Sequence, residues 1–143
     1  MMQSNTTDGS LVWSIMGFDT TSGPAIADGI MTTINAYDNQ IYAFGKGATR
    51  TTVGVQPFGS QMVISGSITD ISAGSNQDAV ATNFPNGLPC VSDASMTAWM
   101  EYVYMQQQRP TNAAGVLVTL SVIDVNGNYR TIGETTSDLR GKF

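Results

Sequence analysis

Val116-Leu117-Val118-Thr119-Leu120-Ser121-Val122-Ile123, running on through Asp124-Val125-Asn126-Gly127-Asn128 into Tyr129-Arg130-Thr131-Ile132-Gly133, is the stretch that decides the fold. Val116, Val118, Leu120 and Val122 recur with period two, with Thr119 and Ser121 between them. That alternation gives a strand one apolar and one polar face. Asn126-Gly127 is the strongest short-range hairpin signal, because both residues accept the positive φ of a type I′ turn. Tyr129 to Gly133 then returns as the partner strand. The register stays open, because Ile123 and Ile132 fall on the face opposite Val122 in the simplest pairing.

Upstream of this hairpin the period changes. Met96, Trp99, Met100 and Val103 stand at i, i+3, i+4 and i+7, the spacing of one helix face. A helix over 93–107 follows, capped by Ser92, with Asp93 in its first turn and Pro110 beyond its end. The residues 72–87 read as a long polar loop. In 61–70 the apolar positions 62, 64 and 68 again suggest a strand, and Gly66 inside it suggests a bulge or a close backbone approach. Lys142-Phe143 looks like the opening of a further strand.

Towards the N-terminus, Thr51, Thr52, Gly54, Pro57 and Gly59 with Arg50 as the sole charge make 48–60 a linker, and the boundary between two units is placed there. The residues 11–47 read as a meander: strands at 11–16, 25–27, 30–37 and 40–44, turns at Asp28-Gly29 and Asp38-Asn39, and a turn cluster at Thr20-Thr21-Ser22-Gly23-Pro24. The residues 1–10 are polar and are expected to form a flexible N-terminus. They lack the basic and apolar regions of an export signal.

Composition narrows the function classes. The chain has 143 residues, 6 Lys plus Arg against 11 Asp plus Glu, and a net charge of −5. Six scattered cations on an acidic chain offer no footprint for nucleic acid or for an anionic membrane surface. No apolar run reaches the ~20 residues needed to cross a bilayer as a helix. With His at zero, no Ser-His-Asp or Cys-His catalytic arrangement and no His-liganded zinc or copper site can be built. Cys90 is the single cysteine, so it has no intrachain disulfide partner and reads as a small apolar residue. No cofactor and no metal site are expected.

Two resemblances sharpen the picture. Gly23-Pro24-Ala25-Ile26-Ala27-Asp28-Gly29, then Asp38-Asn39-Gln40-Ile41-Tyr42-Ala43-Phe44-Gly45-Lys46-Gly47, with Val12-Trp13 upstream, resembles one blade of a pyrroloquinoline-quinone-type β-propeller repeat. A single blade cannot close a ring or form a quinone site, so the resemblance implies a terminal blade and carries no cofactor across. The second stretch is Met62-Val63-Ile64-Ser65-Gly66-Ser67-Ile68-Thr69-Asp70, the helical insertion at Pro89-Cys90-Val91-Ser92-Asp93-Ala94-Ser95-Met96, and Gly115 to Tyr129. It resembles the immunoglobulin-like β-sandwich modules of large archaeal surface proteins, in which such modules follow propeller repeats. An immunoglobulin-type sandwich has about seven strands, whereas 61–143 supplies three or four. The implied fold class is mainly β: a blade-like antiparallel meander at 11–47 and a partial immunoglobulin-like β-sandwich at 61–143 with one inserted α-helix. The implied setting is extracellular or at the cell surface.

Candidate chemistry is sparse. Asp124 to Asn128 superficially resembles a calcium loop, but the sixth and twelfth positions hold Tyr129 and Thr135 where an EF-hand needs Gly and Glu. Glu101 and Glu134 are the two glutamates, and nothing in their spacing brings them together for glycoside hydrolysis. Gly45-Lys46-Gly47 lacks the flanking residues of a phosphate loop. Aromatic binding is the better prospect. Tyr102 and Tyr104 fall off the apolar helix face and, with Gln106, Gln107 and Gln108, form a polar-aromatic edge; Trp99 lies on the apolar face and is expected in the core. The binding candidates are therefore Tyr102, Tyr104, Trp99 and Gln106, with no catalytic residue assigned. The expected function is a non-catalytic surface interaction or structural module. Missing strands leave open sheet edges, so a homo-oligomer is expected. The alternatives are a His-independent hydrolase acting on a polymer or glycan, and a carbohydrate-binding module using Tyr102 and Tyr104.

Overall fold

The computed structural model describes residues 2–18 and 23–143. Its elements, in chain order, are β1 (Met2–Ser4), β2 (Leu11–Ser14), β3 (Ala25–Ala27), β4 (Ile30–Asn35), β5 (Gln40–Phe44), β6 (Thr49–Phe58), β7 (Gln61–Asp70), α1 (Asp78–Asn83), β8 (Leu88–Pro89), α2 (Met96–Met105), β9 (Leu117–Ile123) and β10 (Tyr129–Thr136). The fold is mainly β, with antiparallel sheets. The sheets are small: β1-β2, β3-β4-β5, β6-β7-β8 and β10-β9.

Over 11–47 the meander forms as β3-β4-β5. Asp28 and Gly29 both take positive φ, 51° and 76°, as a type I′ turn requires. The next connection is longer than two residues: Ala36 to Asn39 link Asn35 to its partner Gln40. The first strand does not join this sheet. It pairs instead with β1, so 2–4, expected to be flexible, form a strand. Trp13 of β2 still reaches the meander by stacking on Phe44, with ring centroids 4.9 Å apart. The expected turn cluster at Thr20-Thr21-Ser22-Gly23-Pro24 lies largely outside the described residues. Asn35 is fully buried, and its Oδ1 accepts the N–H groups of Phe18 and Tyr37, meeting the requirement that a buried polar group be bonded.

The expected linker at 48–60 is a strand. All ten residues of β6 pair with β7, from Thr49↔Asp70 to Phe58↔Gln61. The Gly and Pro positions that suggested a linker are explained by the pairing. Gly54 lies opposite Ser65, and Gly59 takes φ 61° in the turn. Gly66 marks a close approach and not a bulge, since the β6–β7 register is unbroken. A Cβ there would collide with the Thr52 carbonyl and the Phe143 ring.

The opposite edge of β7 is shared. Thr69 and Asp70 pair with β8. Gly66 and Phe143 exchange backbone bonds of 2.9 and 3.2 Å, and Ile68 N–H donates to Gly141 at 2.8 Å. Lys142-Phe143 thus enters a strand pairing, as expected. The expected helix at 93–107 forms as a 3-10 turn over Asp93–Ser95 and then α2. Ser92 precedes the turn without a side-chain cap bond. The presumed polar loop 72–87 contains a 3-10 turn, Ala73–Asn76, and α1.

The open register of the last hairpin is resolved by a bulge. Thr131 pairs with Ser121 and Gly133 with Leu120, leaving Ile132 between them. The extra residue lets both halves of β10 keep their faces. The turn is not type I′, since Gly127 takes φ 82° but Asn126 is not among the positive-φ residues. Asp124 closes it instead: its carboxylate accepts the N–H groups of Asn126 and Asn128 and the Asn128 amide.

The core lies on the helical side. Val80, Leu88, Val91 and Trp99 are buried together, with Phe84, Met96, Tyr102, Val103, Ala113 and Leu139 packed around them. The meander side is tied to it through β2, where Ser14 N–H donates to Thr97 Oγ1 at 3.0 Å.

Candidate functional sites

Two places stand out: a protruding hairpin and a cleft beside α2. The hairpin is β6–β7. From Thr51 to Thr69 there is no charged residue. Residues paired across an antiparallel ladder share a face. One face therefore carries Val53, Val55 and Pro57 on β6 with Gly66, Ile64 and Met62 opposite them. The other carries Thr52, Gly54 and Gln56 with Ser67, Ser65 and Val63, and the Thr52 and Ser67 hydroxyls bond at 2.7 Å. The apolar face is uncovered along most of its length: Val53 is 64% exposed, Val55 52% and Met62 71%.

Its edges are also open. Gly66 and Ile68 direct their N–H groups away from β6 towards 141–143. By the alternation of an antiparallel ladder, Ser65 and Ser67 face β6, and Thr51, Val53 and Val55 present their N–H groups outward. No strand pairs with that side of β6 among the described residues. Pro57 occupies an outward position too, so its missing N–H costs no ladder bond. On β7, Met62 and Ile64 are the matching outward positions beyond the reach of Phe143.

The cleft gathers three of the four residues expected to bind. Tyr102, Tyr104 and Gln106 line one concavity of about 310 Å³, facing Gln77, Val80 and Asn83. The fourth, Trp99, is 4% exposed and lies in the core. Its indole Nε1 is buried without a partner among the described residues.

Tyr102 is not the free exposed aromatic that its helical position suggested. It is half-buried, edge-on to Phe84 at 6.1 Å and tilted against Trp99 at 5.6 Å. The reason is α1, which brings Phe84 over that side of α2. Tyr104 is 37% exposed. Its hydroxyl lies beside Gly74, 3.0 Å from where a Cβ would stand. Burial, with the Asp70 carboxylate nearby, pushes its phenol up to about 12.

Gln106 ends α2 in the left-handed conformation, φ 56°, and the N–H of Gln107 closes onto Glu101 O at 3.2 Å. The sequence pattern missed Gln77 and Asn83, because the segment that carries them read as loop. Asp78 in a first turn followed by Val80 and Phe84 at i and i+4 is the signal that could have found α1.

The other candidate groups are dispersed. Cys90 is half-buried, and burial together with Asp70 pushes its thiol up to about 11, the state of an unreactive thiol at neutral pH. Glu134 accepts from the Thr119 hydroxyl at 3.4 Å on the last hairpin, while Glu101 belongs to α2. A larger cavity of about 550 Å³, lined by Arg50, Asp70, Asn76 and Phe84 among others, lies against α1 and holds none of the expected residues. No group of three or more Cys, Asp or Glu is arranged to hold a metal among the described residues. Among the described residues no helix is long and apolar enough to cross a membrane. No family model, curated protein or solved structure matches the chain.

Proposed function

We propose that this chain is a non-catalytic interaction and structural module that self-associates through open sheet edges, of the kind that cell-surface proteins string together. The observation that carries the reading is the β6–β7 hairpin: twenty paired strand residues with a bare apolar face, an unpaired edge and no charge from 51 to 69. Proteins that remain apart blunt such an edge with lysine, a buried charge or a covering loop. Here Pro57 at the tip is the sole such device. Two copies of a chain with net charge −5 repel each other over most of their surfaces, and this hairpin is where they meet without like charges opposed. Antiparallel pairing of β6 with β6 of a second copy about a two-fold axis is self-complementary. It keeps Val53 and Val55 of both copies on one face when odd-numbered residues pair. The resemblance to propeller-blade and immunoglobulin-like modules supports an extracellular or surface setting.

The test is solution mass by light scattering across a concentration series, for the natural chain and for Val53→Lys/Val55→Lys. The natural chain is expected at a discrete multiple of 15.2 kDa and the double variant at the monomer mass. A natural chain that stays monomeric at every concentration overturns the reading.

A further inference from the structure

We infer that the cleft between α1 and the end of α2 binds a neutral carbohydrate, with Gln106, Asn83 and Tyr104 as its contact residues. The inference stands on a different surface from the self-associating hairpin and holds or fails separately.

Three observations point the same way. First, the lining is uncharged. Gln77, Asn83, Tyr102, Tyr104, Gln106 and Gln107 are its polar members, over a floor that includes Val80 and Val103. A chain of net charge −5 with no cation in the cleft has nothing to offer an anion. Among the described residues the carboxamides of Gln77, Asn83, Gln106 and Gln107 bond to no other group of the chain. A carboxamide presents donors and an acceptor together, and a sugar hydroxyl does the same, so the two match without a charge on either side. Second, the aromatic wall is held in place. Tyr102 is wedged against Phe84 and Trp99, and the Tyr104 hydroxyl lies beside Gly74. Preorganised rings beside free amides give a ligand an apolar face to lie on and polar groups that orient it.

Third, Gln106 is in the wrong place for stability alone. Glycine is the ordinary residue for a left-handed helix end, and a side chain there carries backbone strain. The left-handed Gln106 and the adjoining Gln107 both line the cleft, as does Asn83 of α1. A volume of about 310 Å³ is at the small end for ligand sites, suited to one or two sugar rings of a longer chain.

The test uses three neutral oligosaccharides, cellohexaose, mannohexaose and laminarihexaose, titrated into the full chain and followed by side-chain amide shifts and calorimetry. At least one is expected to bind, moving the Gln106 and Asn83 amide signals. Gln106→Gly relieves the left-handed residue, so its melting temperature is expected to equal or exceed that of the natural chain while its affinity falls about tenfold, the loss of one good hydrogen bond. Asn83→Ala, on the facing helix, is expected to fall similarly. Several results would overturn the inference: no binding of any of the three at millimolar concentration, an affinity unchanged in both variants, equal binding of anionic polygalacturonate, or tighter binding of an uncharged proline-rich peptide.

Discussion

The helical side of the molecule and the β6–β7 hairpin are built from similar apolar residues and treat them in opposite ways. Val80, Leu88, Val91 and Trp99 come from three separate segments, α1, the stretch 88–91 and α2, and are each no more than 4% exposed. Val53, Val55 and Met62 come from one local hairpin and are all more than half exposed. Burying such a side chain stabilises by about 1.5–3 kcal/mol, so the first set holds the fold together and the second contributes little to it. A hairpin satisfies its own backbone through its ladder, but two strands alone cannot cover their own face and are marginal in water. A second layer must come from elsewhere, which is why the hairpin is read as an interaction surface and the helical side as the scaffold.

The sharpest way to break this contrast is in the core. Trp99→Ala should cost about 3–5 kcal/mol, as large-to-small changes of buried aromatics do, read by urea unfolding. Trp99→Phe should cost less, because it also removes the buried indole N–H that has no partner among the described residues. If Trp99→Ala costs no more than a surface change, the helical side is not the scaffold. Gly115→Ala comes next. A Cβ there would run into the Ser137 backbone and hydroxyl, and overpacking of this kind costs about 1–3 kcal/mol.

pH titrates different parts of the molecule. Burial raises Cys90 from 9.0 to about 11 and Tyr104 from 10.0 to about 12. In both, the neutral form is the one that the fold favours. Their contribution is therefore full below the ordinary values and is lost as pH rises through the folded ones. Tryptophan fluorescence should report loosening of the helical side in the alkaline range before the β6–β7 ladder changes. Acid acts on the loops. Hydrogen bonds from Ser10, Asn128 and Lys142 hold Asp8, Asp124 and Asp138 below their ordinary 3.8. That stabilisation is present above 3.8 and is lost as pH falls through the lower folded values. Exchange of the Asn126, Asn128 and Lys142 amides should accelerate there first. The smallest stability effect belongs to the hairpin: Val55→Lys should change the unfolding free energy of the isolated chain by less than about 0.5 kcal/mol while weakening association.

Much of this was legible in the residues, and the failures have physical causes. Period-two and period-3.6 patterns located β7, β9 and α2, because their apolar residues gather on one face, and the Asp28-Gly29 pair located its turn through the positive φ it accepts. β6 was missed although Val53 and Val55 alternate with Thr52, Gly54 and Gln56, because Gly54, Pro57 and Gly59 in the same short stretch are the ordinary marks of a linker. The bulge at Ile132 resolved a register that simple pairing left open. Asp124, whose surroundings superficially resemble a calcium loop, closes a turn, as do Asp8, Asp38, Asp70 and Asp138: each accepts the backbone N–H two residues on. The cleft was half legible. The Tyr102, Tyr104 and Gln106 cluster follows from the end of a helix, but Gln77 and Asn83 reach it only through α1, whose six residues are too few for a periodic signal. Tyr102 was misplaced for the same reason, since Phe84 covers it from that unseen helix.

Whether β6 is an interface between copies of this chain is decided by residue-resolved amide exchange of Thr51, Val53 and Val55 at low and high protein concentration. These amides point away from β7 and have no partner among the described residues, so at low concentration they should exchange rapidly while their neighbours Thr52 and Gly54 are protected by the ladder. With edge pairing of β6, all three become protected at high concentration, in step with the rise in solution mass. Rapid exchange of all three at every concentration would contradict it.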